Sequence, residues 1–195
     1  MTSAHPSEGK TTIAINTAVT FAQTGAQVLI LDCDLRRPQI HSHFKISNSD
    51  GLTNYLSGLQ DIDSLLRTHN EYPSLKLMTS GPMPTNPSDF LGSDEMYNLL
   101  EVLKRNFAHI IIDSPPASFT DASILSTLVD GVVIVVNSKR GSRVAVKRAK
   151  QRLQEVGAHV LGVVLNYADI ESDQYYSSYY PPYQKNENQE AAKEA

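Results

Sequence analysis

The chain has 195 residues, 41% of them hydrophobic and 19% charged, with a formal net charge of −4. One globular domain is the default at this size, and the acidic balance argues against a nucleic-acid binder, whose surface carries excess Lys and Arg. Cys33 is the sole cysteine, which excludes an internal disulfide; no apolar run reaches the ~20 residues of a membrane span, and the first residues do not read as a secretory leader.

Only Met1–Ala4 precede the glycine-lysine turn His5–Lys10. Central strands usually have ~5–6 residues, so the expectation is a domain of residues 1–167 that lacks its first strand and looks clipped at its N-terminus. A helical pattern follows over Lys10–Thr24 and stops at Gly25. Short apolar runs at Val28–Leu31, Lys76–Met78, His109–Ile112, Gly131–Val136 and Val160–Leu165 are mostly unalternating and β-branched, as in strands covered on both faces. Short helices are expected at Leu52–Ser57 and Ile62–Thr68, and the proline-rich stretch Gly81–Pro87 is expected to be a loop. Longer helices are expected at Asp94–Asn106 behind Ser93, at Ala122–Val129 behind Asp121, and at Arg143–Val156 between Ser142 and Gly157. Strand–helix alternation of this kind predicts an α/β domain with a largely parallel sheet flanked by helices on both faces. Periodicity ends after Asn166, and residues 168–195 read as a flexible, disordered tail.

Three stretches carry chemistry. Ser7, Glu8, Gly9, Lys10, Thr11 and Thr12 open the first helix. There the backbone N–H groups, the lysine and a threonine hydroxyl can cradle phosphate and Mg²⁺, although Ala4 stands where the usual pattern has its first glycine. The run Leu29–Arg36 ends a strand with Asp32 and Asp34, which on extended chain face one side. They can hold Mg²⁺, and one can take a proton from an attacking hydroxyl. His109–Pro116 is an apolar strand ending in Asp113, where such sites place a metal-orienting carboxylate. Five of the nine tyrosines, Tyr175, Tyr176, Tyr179, Tyr180 and Tyr183, crowd the tail behind Asp169, Glu171 and Asp173, as a sticky low-complexity arm or as phosphoacceptors. The basic helix carrying Arg143, Lys147, Arg148, Lys150 and Arg152 reads as a solvated face, and His41 and His43 as surface residues. Cys33, between two aspartates, is a poor nucleophile.

These motifs resemble the cytoplasmic kinase domain of the bacterial protein-tyrosine kinases of the capsular exopolysaccharide type. The resemblance runs over about residues 3–183 and rests on Ser3–Thr11, on Asp32-x-Asp34-x-Arg36 with Pro38, on Ile110–Pro116, on Gly81–Leu91 and on the tyrosine cluster. It implies a P-loop fold and an ATP- and Mg²⁺-dependent kinase that autophosphorylates its tyrosine cluster. Lys10 would contact the β- and γ-phosphates, Thr11 would ligate the metal, and Asp32, Asp34 and Asp113 would be catalytic and metal-organising carboxylates. It further implies a ring-like homo-oligomer, a transmembrane adaptor of the chain-length-regulator type, and a protein-tyrosine phosphatase as partners. The setting would be control of polysaccharide chain length and export, in the cytoplasm at the inner face of the membrane. The family's upstream strand and its E-x-x-R-x-x-R segment are not found before Met1. A partitioning-type ATPase of the same superfamily is the nearest rival, but it carries an early lysine where this chain has His5; a non-catalytic scaffold is the second.

Overall fold

The computed structural model describes residues 1–169. The tail tyrosines Tyr175, Tyr176, Tyr179, Tyr180 and Tyr183 lie outside the described residues.

The first long helix, α1 (Lys10–Gln23), turns Ala14, Ala18 and Ala22 inward and ends at Gly25, whose φ of 87° suits a residue without Cβ. Its small face lies on β2 (Val28–Asp32), β4 (Leu75–Met78) and β5 (His109–Asp113) through Val28, Ile30, Leu75, Leu77 and Ile111. On the opposite face Leu29, Leu31, Met78 and Ile112 pack against α6 (Asp94–Asn106), which presents Met96, Leu99, Leu100 and Leu103 at helical spacing. Ser93 caps α6 by accepting from the Met96 N–H, and Ser142 caps α8 (Arg143–Glu155) by accepting from the Ala145 N–H. α8 buries Ala149 and Leu153 and leaves its basic residues in solvent, as expected.

The strands form two sheets. One has the order β3-β4-β2-β5, with β3 (Arg67–Thr68) the antiparallel edge; the other is β1-β6-β7, made of β1 (Thr2–Ser3), β6 (Val132–Asn137) and β7 (Val160–Asn166), all parallel. Met1 bridges the two: its ammonium donates to the Ile112 carbonyl (2.7 Å), and its carbonyl accepts from the Ser114 N–H (3.1 Å). The segment before the cradle, expected to be too short for a central strand, forms a two-residue strand at the edge of its sheet, paired with β6.

Other elements shift from expectation. α3 (Leu52–Leu56) and α4 (Ile62–Leu65) are shorter, because residues 67–68 pair with β4 instead of continuing a helix. α7 spans Thr120–Thr127 and so takes Asp121 into its first turn. Two short helices, α2 (Ile40–Phe44) and α5 (Pro87–Leu91), were not expected; Pro87 sits in the first turn of α5, where its missing N–H costs nothing. β7 is not covered on both faces: Leu161, Val163 and Leu165 are exposed, and among the described residues it is an edge strand paired with β6 alone.

Below Met1 the two sheets part. A cavity of about 560 Å³ lies between β5 and β6, lined by Ile110, Ile111, Val132, Val133, Phe21 and Leu125 among others. Its lining is mostly apolar, as suits a buried extended segment between two parallel strands. Fusing Val-Ile-Val-Val ahead of Met1 is therefore expected to raise the Tm by several degrees in differential scanning calorimetry. A Ser-Gly-Ser-Gly fusion should leave it unchanged.

Candidate nucleotide site

The site forms at the carboxyl ends of β1, β2 and β5, the edge where open parallel sheets bind ligands. The chain leaves β1 at Ser3 and turns through Ser7 and Gly9, both with positive φ, into the N-terminus of α1. Gly9 is required twice: φ is 88°, and a Cβ there would come within 2.1 Å of Asn166 Nδ2. No side chain caps α1, so its first N–H groups stay available to an anion.

Ser7, Gly9, Lys10, Thr11 and Thr12 line a pocket of about 530 Å³, with Asp34, Arg36 and Arg37 on one wall and Pro115, Pro116 and Phe119 on another. Glu8, expected to bind nucleotide, does not line it. Its buried carboxylate accepts from the His5 N–H (2.8 Å) and the Asn137 N–H (3.4 Å), and its carbonyl accepts from Asn166 Nδ2 (3.1 Å). Glu8 thus ties the cradle to the ends of β6 and β7. His43, read as a surface residue, is exposed but lies on the pocket wall.

The acidic residues divide the work. Thr11 Oγ1 donates to Asp113 Oδ2 (2.5 Å), while the buried Asp113 Oδ1 has no partner. Burial raises the Asp113 pKa, and the Thr11 hydroxyl and Lys10 oppose the shift. Lys10 Nζ lies 3.7 Å from Asp34 Oδ2, and both side chains are mostly buried. Burial also raises the Asp34 pKa, with Lys10 pulling against it.

Asp32 does not stand beside Asp34 as expected. β2 ends at Asp32, so the alternation of extended chain does not carry on to residue 34. The Asp32 carboxylate turns into the following loop instead. Its Oδ1 accepts from the Asp34 N–H (3.2 Å), and its Oδ2 accepts from the N–H groups of Gln39 (3.1 Å) and Ile40 (3.0 Å). Among the described residues, no three of His, Cys, Asp and Glu converge into a preformed metal-ligand cluster. Mg²⁺ typically needs one or two carboxylates beside phosphate oxygens and water, and Thr11 with the orphaned Asp113 oxygen fits that requirement. Cys33 is buried, and burial together with Asp32 and Asp113 pushes its thiol well up, so it is a poor nucleophile.

A buried carboxylate beyond the motifs anchors the far wall. Arg36 Nε and Nη2 donate to the two oxygens of the buried Asp121 carboxylate (2.6 and 3.1 Å), and Ser88 Oγ donates to the same group (2.5 Å). In the sequence Asp121 reads only as a helix-start signal. The arginine two residues after Asp34 was the visible clue, since a half-buried guanidinium needs a fixed acceptor.

The profile of the ParA family, described as NUBPL iron-transfer P-loop NTPase, matches residues 2–195. The tyrosine-protein kinase YwqD of Bacillus subtilis is 36% identical over 92% of this chain and 76% of its own. The tyrosine-protein kinase CpsD of Streptococcus pneumoniae serotype 4 is 37% identical over 90% of this chain and 78% of its own. The chain belongs to the bacterial tyrosine-protein kinases, on the ParA-type P-loop fold. Among solved structures, the VpsO kinase domain superposes with a TM-score of 0.81 at 35% identity, covering 86% of this chain and 83% of that one. The P-loop α/β fold expected from the motifs is therefore the fold of the family.

Burial, reinforced by Asp113, pushes the Asp32 carboxyl up to about 8 in this member of the family. An unfolded aspartate titrates near ~3.9, so the native state binds the extra proton between the two values. That contribution is complete below the unfolded value and is lost as pH rises through about 8. Without nucleotide and metal, the Tm is expected to fall from pH 6 to pH 9, and Asp32→Asn should flatten the dependence.

Proposed function

We propose that the protein is an ATP-dependent protein-tyrosine kinase that phosphorylates its own C-terminal tyrosine cluster and regulates exopolysaccharide chain length and export. The observation that carries the nucleotide half of this reading is the contact of Thr11 with Asp113 at the mouth of an uncapped helix, beside Lys10. Family membership carries the tyrosine half.

In this reading the N–H groups of Gly9–Thr12 and the Lys10 ammonium hold the β- and γ-phosphates of ATP. Thr11 and Asp113 would hold Mg²⁺, which offsets phosphate charge when bound. Asp34, with its raised pKa, accepts the phenolic proton at its carboxylate as the phenol oxygen bonds to the γ-phosphorus and the bond to the ADP oxygen breaks. Asp32 orders the loop that carries Asp34, instead of binding metal itself. The acceptors are Tyr175, Tyr176, Tyr179, Tyr180 and Tyr183, supplied between subunits of a homo-oligomer; added phosphate charge would then loosen the assembly.

Among the described residues no helix is long and apolar enough to cross a membrane. Placement at the inner membrane face through a transmembrane adaptor, and reversal by a protein-tyrosine phosphatase, belong to the same proposal.

Incubation with γ-labelled ATP and Mg²⁺ tests it. Label should appear on tyrosine and fall at least a hundredfold in Lys10→Ala. Replacing the five tail tyrosines by Phe should abolish it while nucleotide binding persists. Release of free phosphate without labelled protein would refute the kinase reading in favour of a simple ATPase.

A further inference from the structure

Beside the cradle the same pocket is lined by Arg36, Arg37, Phe119 and Pro116. The Arg36 guanidinium lies over the Phe119 ring, 5.0 Å from its centroid, and its orientation is set by the fork to Asp121. Asp121 is itself fully buried and held by Ser88 from α5. Two of the guanidinium nitrogens are engaged there, which leaves Nη1 and its two N–H groups for a ligand.

Such a lining offers an aromatic ring and a proline for stacking a flat side chain, and a cation of fixed direction beside them. The chain's own tail presents a matching ligand in sequence: Glu171 and Asp173 stand just before Tyr175 and Tyr176.

We propose that Arg36 and Phe119 form an acceptor subsite that selects tyrosines preceded by carboxylates, with Asp121 as the positioning residue that aims Arg36. The subsite deepens the kinase reading and rests on it. The phenol ring lies against Phe119 and Pro116, and the flanking carboxylate accepts from Arg36. Arg37 adds positive charge on the same wall. Asp121 touches neither nucleotide nor acceptor; it acts through the guanidinium.

Binding separates this proposal from catalysis. A fluorophore-labelled peptide Glu-Ser-Asp-Gln-Tyr-Tyr and its neutral counterpart Gln-Ser-Asn-Gln-Tyr-Tyr are titrated by anisotropy against the full chain, loaded with Mg²⁺ and a non-hydrolysable ATP analogue. The acidic peptide is expected to bind on the order of tenfold tighter, as a charge-assisted fork contact would give, and salt should erode the difference. The preference should fall to about one in Arg36→Met and in Asp121→Asn, and return in part in Asp121→Glu. Arg36→Lys, which keeps the charge but not the fork, should lose most of it. Equal binding of the two peptides by the wild-type chain overturns the subsite, and so does a preference that survives in Arg36→Met. If Asp121→Asn fails to bind nucleotide and so reports misfolding, the wild-type and Arg36 results decide. With γ-labelled ATP replacing the analogue in a parallel incubation, selective peptide binding without transfer of label would sink the kinase reading and leave the subsite standing. Label transferred equally well to both peptides would do the reverse.

Discussion

Asp32 and Asp113 are register partners at the ends of neighbouring parallel strands, and both are fully out of solvent. Two buried carboxyl groups side by side lose hydration and repel each other when both ionise, so one keeps its proton to higher pH (Asp32, pushed up to about 8) and donors or positive charge must meet the other. The chain offers Lys10, the N-terminal amides of α1 and the Thr11 hydroxyl, all from one helix start. The rest of the architecture keeps those donors and acceptors in register. β2 and β5 carry the acids to one edge, α1 brings the donors over it, and Glu8 and Asn166 hold the turn between.

The carboxylates are not equivalent, and backbone amides decide which does what. Asp32 spends both oxygens on the loop it precedes, which converts a strand-end acid into a brace for Asp34 and Arg36. Asp113 keeps one oxygen without a protein partner, which leaves it available to a ligand. Asp34 faces Lys10 at the pocket wall. Further out, burial works against the Asp121 carboxylate, but the hydrogen bonds of Arg36 and Ser88 outweigh it and hold its pKa below the ordinary range. A charged Asp121 links α5, α7 and the loop after β2 into one wall.

Much of this was legible in the residues. The cradle, the strand-end acids and the alternating elements follow from spacing and hydrophobic pattern, and α6 and α8 start at the serine caps that their sequences announce. What escaped was set by tertiary contact. No local signal tells that Glu8 turns away from the phosphate site, since its partners lie at Asn137 and Asn166. The two-residue period that would set Asp32 and Asp34 on one side holds only while the strand does, and β2 stops at Asp32, whose carboxylate turns to the amides of Gln39 and Ile40. The Arg36–Asp121 fork joins residues 85 positions apart, beyond any pattern read along the chain. The two-residue β1 exists because β5 and β6 leave a slot that even Met1–Ser3 can partly fill.

The account stands on Asp113 and Thr11 forming the metal side of a nucleotide pocket. Calorimetric titration of ADP, with and without Mg²⁺, into the wild-type chain and Asp113→Asn tests this most directly. Mg²⁺ should tighten ADP binding at least tenfold in the wild type and have little effect in the variant, with metal-free ADP affinity similar in both. An equal gain from Mg²⁺ in the two proteins would contradict the account.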